Sequence, residues 1–353
     1  MVVQTEFQTR AAVDDIEIIP DPPQAPSRGR WKWVVPLLPW AWFAIRGLHP
    51  VFEVVAILLP LLAVGAIVAA LLSTAFWRSK VIGALALSLV LFSAVAIVGP
   101  RRPASVPAPV DPARIASINL AGQWFVDNEV GYFTIAQEPD IFVGTELREP
   151  VDAELRDRFS YAVSDLADNG AAPEAAGTYR ENGFPSIGIY SNYEMTELPD
   201  PIAEFPGGLP GFRVQVMTEN GEVIVYALHI PRPGTGSGLY DIDVRDQRQM
   251  VDAISEAIHE ESLPVVVIGD LNLVDRGGSF AAMSEGLNDG MRSNRWADST
   301  RLGGGLAGLL QLRIDHLLVT PDLCTANAET PRYLYTDHAP ILADFGPCPR
   351  SDG

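Results

Sequence analysis

The sequence predicts an α+β domain carried behind an N-terminal region of membrane helices, and three observations predict it. Short apolar runs that read as strands are interspersed with helical spacing beyond residue 113, and hairpin turns occur among them. Residues 51–77 carry one charge, Glu53, and residues 81–99 carry none, so each run is long enough to cross a hydrocarbon core as a helix. Between the two regions lies a proline-rich stretch, 101–113, which predicts an extended, stiff linker.

Residues 1–30 are polar, acidic and rich in proline, the composition of a disordered tail and not of a cleavable signal peptide. The membrane region then covers 31–100. Its first segment, 31–48, is the least regular: Pro36, Pro39 and Arg46 predict a short or kinked span or an interfacial helix, and four tryptophans suit the membrane interface. With three spans, Arg28, Arg30, Lys32, Arg78 and Lys80 share one side against Arg46, Arg101 and Arg102. The positive-inside rule then puts the amino terminus in the cytoplasm and everything after residue 99 outside. With two spans, both termini lie together and the later domain is cytoplasmic.

The later domain spans 114–347, with 348–353 as a tail. Its strand expectations are 114–120, ending at Asn119; 141–144, delivering Glu146 and then Arg148; 186–190; 213–217 and 223–230, joined by a turn at Glu219-Asn220-Gly221; 313–319; and 341–345. Helices are expected over 123–137 and 245–259, with a surface helix and loop over 151–182. The run VVVIGDLN at 265–272 is the clearest strand, apolar on both faces and stopped by Gly269. If the extended backbone persists past Gly269, Asp270 and Asn272 project to one side; the alternative is an ordinary turn. Gly303–Gly308 is expected to be a flexible loop, since its context does not fit a dinucleotide fingerprint.

Polar residues therefore end strands repeatedly: Asn119, Glu146, His229, Asp270 with Asn272, Asp315, and Asp337 with His338. Each alone has a structural explanation as a cap or hydrogen-bonded surface group. Together they point to a site on one rim of a sheet. Oxygen donors suit Mg²⁺, with Mn²⁺ or Ca²⁺ as alternatives, and the sequence lacks the cysteine cluster or histidine pair of a dedicated zinc site. Paired carboxylates for glycoside cleavage would leave the histidines and asparagines unexplained. Phosphoester hydrolysis uses all of them, because it needs a cation, an oriented water and donors for the developing charge.

The order Asn119, Glu146 in GTELR, His229 in ALHIPRP, GDLN at 269–272, IDH at 314–316 and TDHAP at 336–340 resembles the endonuclease/exonuclease/phosphatase superfamily, of a membrane-anchored bacterial type. The resemblance covers about 114–345. It implies a four-layer α/β/β/α sandwich with its site at one end. It also implies roles: Glu146 as metal ligand, with Asn119 and Asp337 holding or orienting the ion, and Asn119 and Arg148 contacting substrate. His229 would meet the scissile phosphate, Asp270 and Asn272 would orient water and phosphate, and His338, supported by Asp315, would act as base or charge stabiliser. The sequence departs from the deoxyribonuclease pattern before residue 186, where Glu181 is the nearest acid to the position of a second glutamate. His316, next to Asp315 on a strand, should face away from the site.

The net charge of −19 argues against broad binding of duplex nucleic acid, while a bound cation can reverse the field locally. The function expected is a membrane-anchored, metal-dependent phosphoester hydrolase acting on nucleic acid or a lipid head group, with the bilayer as its other partner and no protein partner implied. A catalytically inactive binding module with the same fold is the alternative. Transport does not fit spans without charged interior residues. Cys324 and Cys348, the only cysteines, are permitted a disulfide in the three-span topology and are equally compatible with two separate thiols.

Overall fold

Two six-stranded sheets packed face to face form the centre of the molecule, and their central strands bury both faces. The computed structural model describes residues 34–49, 51–77, 80–120, 130, 133–134, 136–166, 186–234, 241–298, 300, 312–331 and 336–349. The expected tail at 1–30, most of the helix at 123–137, the loop at 167–182 with Glu181, and Gly303–Gly308 lie outside them.

The first sheet is built from β1 (Ala113–Asn119), β2 (Ile141–Thr145), β3 (Tyr161–Ser164), β4 (Ile187–Ser191), β13 (Leu323–Glu329) and β14 (Ile341–Pro347), in the order β13-β14-β1-β2-β4-β3. The second contains β5 (Met195–Glu197), β6 (Gly211–Thr218), β7 (Gly221–His229), β10 (Val265–Asp270), β11 (Asn288–Asp289) and β12 (Asp315–Val319), in the order β11-β12-β10-β7-β6-β5. A small pair, β8 (Arg232–Gly234) and β9 (Asp241–Asp243), lies beside them. Both sheets are mixed: β1 is parallel to β2 and antiparallel to β14, and β10 is parallel to β7 and antiparallel to β12.

The core explains the layering. Ile115, Val143 and Ile189 from one sheet meet Val214, Val225, Ile268 and Leu317 from the other. Outside the second sheet, α5 (Val244–His259) and α6 (Gly278–Met283) bury Met250, Ile254 and Phe280 against Tyr226 and Val267. Outside the first, α4 (Glu149–Arg158) covers Phe142 and Tyr190 with Val151 and Leu155. This is the four-layer α/β/β/α sandwich, with three apolar interfaces between its layers.

The expected strand boundaries move little, and the β6–β7 hairpin turns where expected, with Gly221 at φ 119°. Cys324 on β13 and Cys348 just beyond β14 are joined by a disulfide across those two antiparallel strands.

At the N-terminal side, α1 (Leu38–Ile45), entered through a 3₁₀ turn, precedes α2 (Val51–Trp77) and α3 (Lys80–Ser93), which a π turn and a 3₁₀ turn extend to Arg101. Two stretches, Val51–Ala69 and Lys80–Arg101, are long and apolar enough to cross a membrane. Their outer faces expose Leu58, Leu62, Val68, Leu87, Leu91 and Val95, which water would not favour. The helical part of the first segment, Val35–Ile45, is shorter. At 1.5 Å per residue it reaches about 16 Å, roughly half of a hydrocarbon core. It runs alongside α3, where Trp40 Nε1 donates to Ser88 Oγ and Phe92 is ringed by Trp40, Trp42 and Phe43 at centroid distances of 5.6, 5.8 and 6.1 Å.

The proline-rich linker is extended but does not hold the two regions apart. Ala104 N donates to Arg292 O, Asn294 N to Ala104 O and Val110 N to Pro347 O, all at 2.9 Å, so the segment is laid along the sandwich.

Candidate active site

Both sheets deliver polar residues to one end of the sandwich. In the second sheet, β7 ends at His229 beside the end of β10 at Asp270, and Asp270 is paired across β12 with Asp315. In the first, β1 ends at Asn119 beside Thr145, the last residue of β2, so Glu146 follows directly. Gly269 makes the approach of β10 to β7 feasible: it has φ +138°, and a Cβ there would collide with the Leu228 carbonyl.

Asp270 is the hub. Asn119 Nδ2 donates to Asp270 Oδ2 at 2.8 Å and to Glu146 Oε1 at 3.0 Å, so one amide joins two carboxylates from different sheets. His229 Nε2 lies 3.5 Å from Asp270 Oδ2 and 3.7 Å from Glu146 Oε1. On the other side, His338 Nδ1 is 3.9 Å from Asp270 Oδ2 and bonds to Asp315 at 2.9 and 3.2 Å. An ionised Asp315 can only accept, so His338 carries its proton on Nδ1 and turns Nε2 outward, 3.9 Å from Asp337 Oδ1. Asn119, His229, Asp270, Asp315 and His338 are all buried, whereas Glu146 and Asp337 are partly open to solvent.

Of the two readings of the chain past Gly269, the turn is the one found. Asn272 has φ 50°, its N–H donates to Asp270 Oδ1 at 3.0 Å, and its Nδ2 donates to Ile230 O at 2.9 Å. The turn and the site are therefore one structure: the Asp270 side chain closes the turn with one oxygen and faces Asn119 and the histidines with the other. Glu146 is also left-handed, at φ 52°, which swings it from the end of β2 toward Asn119. Arg148, two residues on, stands at the N-cap of α4 with extended backbone.

The two central aspartates are driven in opposite directions. Burial alone would raise both. At Asp270 the neighbouring His338 and His229, with the Asn119 hydrogen bond, overcome burial and hold the carboxyl well below the usual range. At Asp315 burial and the negative charge of Asp270 prevail over His338, and its carboxyl is raised. His316 points to the other face, bonds to Leu273 O at 2.7 Å through Nε2, and lies against Phe280 with ring centroids 4.4 Å apart and the planes tilted by 31°.

Two threonines complete the frame. Thr336 Oγ1 donates to Asn119 O at 2.8 Å and accepts from His338 N, a position its spacing two residues before His338 could have signalled. Thr300 Oγ1 accepts from the N–H groups of Ile314 and Asp315, and nothing in the local sequence marks it.

The donor set fits a hard divalent cation. Glu146, Asp270, Asp315 and Asp337 offer carboxylate oxygens, and both cysteines are taken up in the disulfide of the β13–β14 pair. Asp270, Asp315 and His338 present ligand atoms within 4.8 Å of one another, but an ion among them would have to break the Asp315–His338 bond. Glu146 and Asp337 are the partly open carboxylates at the rim, where a hydrated ion can enter.

The model of the Endonuclease/Exonuclease/phosphatase family matches residues 116–338. Among solved structures, the chain is similar to a 3'-5' exonuclease from Neisseria meningitidis, at 18% identity over 66% of this chain and 99% of that one, with a TM-score of 0.47. It is also similar to an AP endonuclease from Archaeoglobus fulgidus, at 15% identity over 65% and 98% of the two chains, TM-score 0.48. An endonuclease/exonuclease/phosphatase from Beutenbergia cavernae matches at 17% identity over 67% and 72%, TM-score 0.48. No curated protein matches the chain significantly.

Proposed function

The chain belongs to the Endonuclease/Exonuclease/phosphatase family, and from that premise we propose that it is a membrane-anchored, divalent-metal-dependent phosphoester hydrolase in which water attacks the phosphate. The observation that carries this reading is the Asn119-bridged pair of Glu146 and Asp270, flanked by His229 and by the His338–Asp315 pair. Glu146, with Asp337, would hold the ion, Mg²⁺ before Mn²⁺ or Ca²⁺. A bound cation of this kind withdraws charge from the phosphate.

The residues themselves divide the remaining work. Asp270 stays ionised, so it is a weak final proton acceptor and instead accepts a hydrogen bond from the water and aims it. Asn272 helps to orient the phosphate. His338, fixed by Asp315, presents Nε2 to the reacting oxygens, and His229 on the opposite side of Asp270 can donate to the phosphate and the departing oxygen. Asn119 sets the spacing of the two carboxylates, and Arg148, at the N-cap of α4 two residues beyond Glu146, would contact a phosphate oxygen.

The orientation proposed is with the catalytic domain outside the cytoplasm. The disulfide between Cys324 and Cys348 supports it, since such bonds persist in oxidising compartments. A reporter active only outside the cytoplasm, fused after Gly353, should be active, and silence there would reverse the orientation.

The activity is tested with the full chain in detergent on DNA, RNA, a chromogenic phosphodiester and a chromogenic phosphomonoester, with Mg²⁺ or with chelator. Hydrolysis of at least one substrate only with the cation is expected. Inertness toward all of them and toward phospholipid vesicles, with Mg²⁺, Mn²⁺ and Ca²⁺, would favour the inactive binding module instead.

A further inference from the structure

The membrane helices reach the sandwich at the end that bears the site. Pro60 in α2 has no N–H, so the carbonyl four residues earlier, Ala56 O, loses its helical partner. Arg276 fills that vacancy: its Nε donates to Ala56 O at 2.6 Å and its Nη2 to Ile57 O at 3.3 Å. One turn earlier, Glu53, the only charge in the apolar run, is buried and accepts from Ser279 N at 2.7 Å. Ala56 packs against Val274 and Ile314. At the far end of the hairpin, Arg101 Nε donates to Asp275 Oδ2 at 2.9 Å.

These contacts fall on two short segments with the same neighbours. Val274–Ser279 begins two residues after Asn272, and Ile314 precedes Asp315; Leu271 N donates to Ile314 O, tying the segments together beyond the end of β10. The start of α2 and the end of α3 thus grip the sandwich within a few residues of Asp270, Asn272 and Asp315. The linker pinned at Ala104 and Val110 gives the domain no slack to turn away. If α2 and α3 lie in a bilayer, the site opens near the head-group layer.

We propose that the substrate is a phosphoester carried by a lipid of that same bilayer, entering the site from the membrane surface. The inference rests on the phosphoester hydrolysis proposed above. In the step, the water oxygen bonds phosphorus, the ester P–O bond breaks, and the water's proton ends on the departing oxygen, so no further reactant is needed. The net charge of −19 over the whole chain disfavours broad binding of a polyanionic nucleic acid.

The test uses the full chain reconstituted with Mg²⁺ in phosphatidylcholine vesicles containing phosphatidylglycerol, phosphatidic acid, a phosphoinositide and sphingomyelin, with products read by phosphorus NMR. Parallel arms supply bis(p-nitrophenyl) phosphate and a single-stranded oligonucleotide. Turnover of at least one vesicle lipid, faster than the oligonucleotide, is expected. Glu53→Gln and Arg276→Lys, which loosen the grip of α2, should lower lipid turnover on the order of ten-fold and leave the soluble diester within about two-fold. Hydrolysis of the soluble diester without any lipid product, preference for the oligonucleotide, or equal loss of lipid and diester turnover in both variants would overturn the proposal. Inactivity on every arm would overturn the phosphoesterase reading beneath it.

Discussion

Asp270 and Asp315 face each other across β10 and β12, yet their carboxyls shift in opposite directions: burial raises both, His338 and His229 overcome it at the first, and at the second burial with the charge of Asp270 outweighs His338 and the Thr300 hydrogen bond. Pairs pushed apart in this way divide labour: one member keeps its charge and the other tunes a partner. Asp315 bonds to His338 Nδ1 and, in the proposed mechanism, would act through it. Asp315→Asn and His338→Ala should therefore each lower kcat by about 10²–10⁴, and the double variant should be no slower than His338→Ala alone. Losses that multiply would separate the two residues and contradict the dyad.

At the scale of the element, β12 carries two residues with opposite fates. Asp315 turns to the site, and His316 is sealed against Phe280 and Leu273 on the other face. Burial first, and Arg313 second, lower the His316 imidazole from its ordinary 6.5 to about 4, so the folded state holds it neutral. Its contribution to stability is complete above pH 6.5 and drains away as the pH falls toward 4. At about 1.4 kcal/mol for each pH unit between those values the loss is about 3 kcal/mol. Melting temperature measured against pH should fall in that window, and His316→Phe should flatten the slope there; an unchanged slope would mean that other groups set the acid limit. Strands β1, β2, β7, β10 and β14 were readable because each is a run of apolar residues ended by punctuation. β13, LCTANAE, was not, because as the outer strand of its sheet it buries few large side chains. Polar residues at strand ends pointed to the site, but the left-handed turn at Asn272 was hidden, since Asp and Asn two apart fit a strand or a turn equally well. Glu53 was unreadable for a different reason: its partner, Ser279 N, lies 226 residues away.

Across the whole molecule, two sheets that share no strand must be held in register for the site to exist. Glu146 and Asn119 come from one, Asp270, Asp315 and His229 from the other, and the apolar layer of Ile115, Val143, Val225 and Ile268 fixes the distance between them. The Asn119 amide spans that junction and holds Glu146, the proposed metal ligand, next to Asp270, proposed to orient the water. The most direct measurement is the Mg²⁺ concentration that gives half-maximal hydrolysis of bis(p-nitrophenyl) phosphate by the full chain, compared with Glu146→Gln. Removing a charged ligand while leaving Asp270, His229 and His338 in place should raise that concentration by about ten-fold or more, with a smaller fall in the plateau. Full activity in chelator, or superimposable Mg²⁺ curves for the two proteins, would contradict the assignment of Glu146 and the metal-dependent hydrolysis built on it.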